Sequence, residues 1–221
     1  MTTYLFLKWV HIIAMAYWLG GVWGAFNALR PTADTKLTPE ERQRHMETAY
    51  RIDILPRASI ILLLPIGLHM GALLNVQPLQ GPWIVGMWVL VAGWLSITFG
   101  AFFNSDTDLG AKLTRIDESF RYVVIALLLI FGIYSVVTGW PFTAPWYAAK
   151  VSLYGVALII GLTLRINMRR LADSFRTLVA GPNPEAEARV NGQLALGRGL
   201  GYVNWVVIAT VAYFGVAKPI F

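Results

Sequence analysis

The sequence predicts an all-α membrane protein, built as a six-transmembrane-helix bundle. Hydrophobic residues make up 57% of the 221 residues and charged residues only 14%, which is not the composition of a soluble globular protein. The charged residues are grouped in blocks, and apolar runs of spanning length lie between the blocks. We therefore expect residues 1–221 to form one integral domain in a lipid bilayer.

The six predicted spans cover residues 4–27, 56–74, 83–103, 120–138, 146–164 and 201–217. The segments that connect them are alternately long and charged or short and uncharged. The first span has no small-residue cleavage site, so we interpret it as a retained helix and not as a signal peptide. Thr38-Pro39-Glu40-Glu41 has the residues of a capping box and predicts a short surface helix in the first connection. Asn183-Pro184-Glu185 predicts another helix start within the basic connection 165–198.

Basic residues lie mostly on one side of the predicted bundle. Of the 18 Lys and Arg residues, 15 are in or beside the first, third and fifth connections, and only Lys8, Lys150 and Lys218 lie towards the other side. The positive-inside rule then predicts a multi-pass protein of the bacterial inner membrane with both termini in the periplasm. These loops account for the net charge of +6, and no nucleic-acid partner is expected.

One segment of the chain occurs twice. Arg51-Ile52-Asp53 with Arg57 recurs as Arg115-Ile116-Asp117 with Arg121. Each copy continues with an apolar helix, a short turn and a Pro-Trp pair that opens the next helix, Pro82-Trp83 or Pro145-Trp146. We expect an internal two-helix repeat, helices 2–3 and 4–5 of the bundle, in the same orientation. Chance similarity between two arginine-flanked apolar runs is the alternative.

Two histidines lie inside apolar spans, where an unpartnered imidazole is costly. His11 is about seven residues from the outer end of the first span, roughly 10 Å deep, and His69 is roughly 9 Å deep in the second. These two spans run in opposite directions, so the imidazoles share a level, and facing histidines in a helical bundle are typical ligands of b-type haem iron. Lys8 and Lys150 are expected near the same level, where an ammonium group would neutralise a haem propionate.

Each of these residues also has a structural interpretation. His11 could form an interhelical hydrogen bond, and Lys8 and Lys150 could extend to the outer membrane interface. Met15 and Met70 could be axial thioether ligands, although methionine in an apolar helix is more often a packing residue. Glycines near both histidines would admit either a flat macrocycle or a neighbouring helix.

Several absences narrow the function. The chain has no cysteine, which excludes disulfides, iron–sulfur clusters and c-type haem attachment. The predicted spans contain no acidic residue in their interiors, which argues against a proton- or sodium-coupled transporter. The third histidine, His45, lies in a charged connection and is predicted to be a solvated surface residue.

Three short segments carry a family resemblance: Lys8, His11, Trp18 and Gly21 in the first span, Tyr50, Pro56 and Gly67 around the second, and Trp146 and Lys150 opening the fifth. They resemble segments of the HemJ-type membrane protoporphyrinogen oxidases and the related CopD-like and DUF2269-like membrane proteins. The resemblance implies a helical bundle with b-type haem, in which His11 matches the haem-ligating histidine and Lys8 and Lys150 match pocket residues. The chain departs from HemJ in having six predicted spans in place of four, and His69 matches no HemJ motif residue.

The function expected from these observations is that of a b-type cytochrome. Its haem would relay electrons between a periplasmic redox partner, or a larger membrane complex, and the quinone pool, because bis-histidine ligation leaves no open iron position. One alternative is an enzyme, a HemJ-like protoporphyrinogen IX oxidase. Another is a haem-free structural subunit or copper-handling protein. Quinone as a bound cofactor and the formation of a homo-oligomer are left open by the sequence.

Overall fold

A computed structural model describes residues 2–220, and within this range the protein contains helices and no strands. The helices are α1 (Thr2–Leu29), α2 (Pro39–Ile52), α3 (Ile54–Leu73), α4 (Pro82–Phe103), α5 (Asp108–Thr138), α6 (Pro145–Val179) and α7 (Pro184–Ala217), with a 3-10 turn at Arg30–Ala33. Six segments are long and apolar enough to cross a membrane, and one of them, Pro39–Leu73, contains both α2 and α3. The predicted all-α bundle of six spans is confirmed.

The six long helices form a closed ring. Each packs on the next in the order α1, α3, α4, α5, α6 and α7, and α7 returns to α1. Helices α3 and α6 also meet across the ring, where the hydroxyls of Tyr147 and Tyr154 donate to the backbone oxygens of Gly67 and Ile60. The main apolar core lies between these helices and includes the fully buried Ile61 and Leu158. Side chains from distant parts of the chain are thus brought together inside the ring.

The outer surface of the ring is apolar, as a bilayer environment requires. Large hydrophobic side chains such as Val89, Ile130 and Val206 are more than half exposed. A soluble protein would expose few contiguous patches of this kind.

The two ends of the bundle differ in charge. The basic end is the one where α1, α4 and α6 end and α3, α5 and α7 begin, and the other end is called the opposite end.

The third and fifth connections differ from the prediction. The segment 165–198 was expected to be a long basic connection, but α6 continues to Val179 and α7 already begins at Pro184, which leaves a four-residue turn. Helix α6 has 35 residues, so it is about 52 Å long and extends well beyond a hydrocarbon core of about 30 Å. Its extension is stabilised by a second apolar cluster that includes Leu171, Phe175 and Val190. The charged residues on the other face had hidden this apolar stripe. Helix α5 likewise begins at Asp108, well before the predicted residue 120, with Thr107 as its N-cap.

The two helix starts predicted from capping residues are confirmed. Thr38 Oγ1 accepts a hydrogen bond from Glu41 N at 3.2 Å, and the Glu41 carboxylate accepts one from Thr38 N at 2.9 Å. These are the two bonds of a capping box, and they begin α2. At the start of α7, Asn183 Oδ1 accepts from Ala186 N at 3.0 Å. A capping motif involves only neighbouring residues, so the sequence alone specifies it.

Both copies of the predicted repeat form the same local ion pair. Asp53 pairs with Arg57 at 2.5 Å, and Asp117 pairs with Arg121 at 3.0 Å, in each case four residues apart. Each copy then contributes two successive spans, α3 and α4 or α5 and α6. The copies differ in burial, because the Asp53 side chain is 34% exposed and the Asp117 side chain is fully buried.

Candidate functional site

His11 lies on the face of α1 that is turned towards the interior of the ring. His11, Met15 and Trp18 recur at the spacing of one helical face and line the same internal cavity. The Nδ1 atom of His11 is buried and has no hydrogen-bond partner among the described residues. Buried polar atoms are nearly always paired, so this nitrogen is an exception that requires an explanation.

Lys150 of α6 lines the same cavity as His11. The lysine is placed against α7 at Gly215, where an added Cβ would lie 2.5 Å from the ammonium nitrogen. Lys150 has no carboxylate partner in residues 2–220. An imidazole and an ammonium group without a carboxylate partner therefore share an otherwise apolar cavity, an arrangement suited to a ligand with an anionic or hydrogen-bonding group.

His69 does not line this cavity. Its Nδ1 accepts a hydrogen bond from Trp88 Nε1 of α4 at 3.3 Å. The α3 residue that faces His11 is Gly67, since an added Cβ at this glycine would lie 3.6 Å from His11 Cε1. His69 follows two residues later, about 200° further around the helix, so its ring points towards α4. The structure brings His11 together with Lys150 and does not bring it together with His69.

The hydrogen bond from Trp88 also decides which nitrogen of His69 is free. In a neutral imidazole one nitrogen carries the proton and the other carries the lone pair. Since Nδ1 accepts from Trp88, its lone pair is used and Nε2 carries the proton. Neither nitrogen of His69 then offers a lone pair to iron in this arrangement.

Most of the other sequence-predicted residues lie outside the cavity. Lys8 is exposed on α1, one turn from His11 towards the opposite end of the bundle. Met70 does not line the cavity, whereas Met15 does. His45 is on α2 at the basic end and is half-buried. No group of three or more His, Cys, Asp or Glu side chains in residues 2–220 is placed to hold a metal ion.

The fit of a haem to this site is partial. His11 would hold the iron of a haem through a ring nitrogen in an apolar environment, and Lys150 would supply a cation for a propionate. The cavity has a volume of only about 60 Å³, whereas sites for organic ligands usually have about 300–1,000 Å³. The donor chemistry fits one ligand to haem iron, and the volume between these helices, as they are packed in this structure, is smaller than a porphyrin needs.

A buried ion cluster at Asp117 was not anticipated from the sequence. Oδ1 of Asp117 accepts hydrogen bonds from Trp94 Nε1 at 2.7 Å and Thr98 Oγ1 at 2.8 Å. Oδ2 accepts from Arg121 Nε at 3.0 Å and from Arg165 Nη1. The cluster therefore connects α4, α5 and α6 through one carboxylate. The repeated Arg-Ile-Asp motif with its arginine four residues later is the available signal in the sequence, where it indicates an internal repeat and does not show that the second copy is buried.

Asp117 also corrects the expectation that helix interiors contain no acidic residue. It lies nine residues after the start of α5 and is completely buried. The prediction was wrong because it placed the start of this span at residue 120. The pairing with two guanidinium groups gives Asp117 a structural explanation, and a fully paired carboxylate is not a free site for a coupling ion.

Comparison with known proteins gave no match for this chain among protein-family models, curated proteins or solved structures.

Proposed function

We propose that this protein is a membrane redox protein that binds b-type haem through His11 and relays electrons between a periplasmic partner and the quinone pool. The observation that carries the proposal is the buried Nδ1 of His11, which has no partner among the described residues. The imidazole of His11 lies in an apolar interior without a hydrogen bond to Nδ1. Coordination of a metal by this nitrogen would explain why it has no other partner. The resemblance of the first span to HemJ-type proteins supports the same residue.

Lys150 is the residue that we assign to a haem propionate. It lines the cavity beside His11 and has no carboxylate partner in residues 2–220. An ammonium group in this environment gains from a carboxylate, because a charge-assisted hydrogen bond is stronger than a neutral one. Lys8 lies outside the cavity and is exposed, so it is the weaker candidate for this role.

The small cavity sets a condition on the proposal. A porphyrin needs more than about 60 Å³, so the helices that line the cavity must lie farther apart in haem-loaded protein than they do in this structure. His69 is not assigned as the second ligand, because it is hydrogen-bonded to Trp88 outside the cavity. The number of histidine ligands thus becomes a question for experiment.

The three histidines of the chain provide a direct test. The purified protein should show a Soret band and a positive pyridine haemochrome assay. His11→Ala should lose the band, whereas His69→Ala and the surface control His45→Ala should keep it. Circular dichroism and gel filtration check that each variant is folded. A wild-type sample without haem contradicts the proposal, and loss of the band in His69→Ala as well restores the bis-histidine site.

A copper-handling protein is a second candidate, and the cavity volume favours it. About 60 Å³ accommodates a single ion, and the thioether of Met15 lies one turn from His11 on the same wall. Imidazole and thioether donors suit Cu(I), although the nearby ammonium group of Lys150 opposes a cation. Metal analysis on the sample used for the haem assay distinguishes the haem protein from the copper-handling protein. Copper that is present without haem in the wild type, and absent in both His11→Ala and Met15→Ala, supports the second candidate.

The HemJ-like protoporphyrinogen IX oxidase remains the enzymatic alternative. A haem with one histidine ligand keeps an open iron position, which the bis-histidine arrangement would not. Complementation of a strain that lacks protoporphyrinogen oxidase activity tests this alternative. Growth that depends on His11 would favour the enzyme over the electron-transfer protein.

A further inference from the structure

A second cavity lies at the basic end of the bundle, away from His11. It has a volume of about 390 Å³ and is bounded by α1, α2, α6 and α7. This volume is within the range of sites for organic ligands. We propose that this cavity binds one anionic phospholipid from the leaflet at the basic end, with the phosphate between Arg30 and Arg198.

The charges on the cavity wall favour an anion. Arg30 and Arg198 both line it, and neither has an ion-pair partner in residues 2–220. The carboxylate on the same wall, Asp53, is already paired with Arg57 at 2.5 Å. Two arginines without counterions remain, and guanidinium groups bind phosphate in a bidentate geometry.

The two arginines lie at about the same depth in the bundle and line the same cavity. The rings of Trp23 on α1 and Trp205 on α7 are 5.7 Å apart, so these residues define one level in the bundle. Arg30 follows Trp23 by seven residues, and Arg198 precedes Trp205 by seven. Since α1 and α7 are antiparallel, both arginines lie about 10 Å from the tryptophans towards the basic end. Seven residues are nearly two helical turns, so each arginine shares a face with its tryptophan.

The deeper part of the cavity is apolar. Its walls there include the aromatic rings of Phe26 and the two tryptophans. A cation pair at the membrane surface with aromatic and aliphatic groups about 10 Å below matches a lipid phosphate with its acyl chains. A soluble anion would use the arginines but would leave the apolar walls uncovered. The distribution of polarity therefore favours a lipid over a free phosphate compound.

The experiment uses the full-length protein in mixed micelles with lipids that carry brominated acyl chains, which quench nearby tryptophans. We expect brominated phosphatidylglycerol to quench at concentrations about 30-fold lower than brominated phosphatidylcholine, since each arginine near the surface contributes about fivefold. Arg30→Gln or Arg198→Gln should each reduce this preference by about fivefold, and the double variant should abolish it. Equal quenching by both lipids in the wild type overturns the proposal without requiring any variant.

The matched control is the double variant Arg51→Gln/Arg115→Gln. It removes the same charge at the same end from exposed residues that do not line the cavity, so it should retain the preference. If the control loses the preference for phosphatidylglycerol to the same extent, the preference comes from the general surface potential, and the proposed site is overturned. A competition arm adds sn-glycerol 3-phosphate. If millimolar sn-glycerol 3-phosphate displaces the lipid, the arginines bind a soluble phosphate compound, and the proposal of a lipid site is overturned.

Discussion

Asp117 is a fully buried charge that depends on its neighbours. Four side chains donate to its two oxygens, two of them guanidinium groups. The Arg121 guanidinium also lies over the Trp94 ring, 5.3 Å from its centroid. Removing one partner of such a network destabilises the fold by more than the intact network stabilises it, because the remaining charges are left buried and uncompensated.

Asp117→Asn should therefore lower the free energy of unfolding by about 3–5 kcal/mol. The amide has nearly the same shape, but it leaves Arg121 and Arg165 without their shared negative charge. Denaturant or thermal unfolding in mild detergent measures the change. Asp173→Asn is the control, because Asp173 is 69% exposed in a surface pair and its loss should stay within about 0.5 kcal/mol. Equal effects at both positions would contradict the role of Asp117.

The two intramembrane histidines show how far sequence reasoning reaches at this scale. Their equal depth could be predicted by counting residues at 1.5 Å each. Their direction could not, because each residue turns the helix by about 100° and the orientation of α3 depends on its packing. In the structure Gly67 faces His11, and His69 contacts Trp88 of α4. The association of His11 with Lys150, about 140 residues apart in the chain, likewise follows from the ring of helices.

At the scale of elements, α1 and α3 approach each other through a glycine. An added Cβ at Gly21 would lie 2.6 Å from Cδ of Pro56, and the proline ring cannot rotate away. The adjacent Gly20 has no atom within 4 Å of the same position. The sequence indicates that two glycines thin the first helix, but it does not show which of them admits the neighbouring helix.

Gly21→Ala should destabilise the bundle by about 1–3 kcal/mol, because the methyl group forces α1 away from α3. Gly20→Ala should be neutral or stabilise the protein by up to about 1 kcal/mol through helix propensity. Thermal unfolding in the same detergent compares the pair. If the two variants show the same stability, α1 and α3 are not packed at this point as the structure has them.

At the scale of the whole molecule, the polarity of the bundle ends determines its orientation in the membrane. The basic end contains the turn between α4 and α5, and the opposite end contains the uncharged turn between α3 and α4. We expect the basic end to face the cytoplasm. The termini would then lie on the periplasmic side.

The absence of cysteine makes this orientation simple to test. A membrane-impermeant maleimide added to right-side-out vesicles should label Pro78→Cys, in the uncharged turn. It should label Ser105→Cys, in the turn at the basic end, only after the membrane is permeabilised. Both positions are exposed, so a lack of labelling reflects the membrane and not burial. The reverse pattern would contradict the orientation.

The sequence by itself determined the fold class, the number of spans, the polarity of the two ends and the helix starts at Thr38 and Asn183. These features depend on hydrophobicity averaged over a segment or on hydrogen bonds between neighbouring residues. Only the tertiary structure decided the neighbours of His11 and His69, the burial of Asp117 and the cavity that Arg30 and Arg198 line. The physical reason is rotation about the helix axis: an apolar helix exposed to lipid carries little sequence signal for its inward face, so packing against other helices selects it.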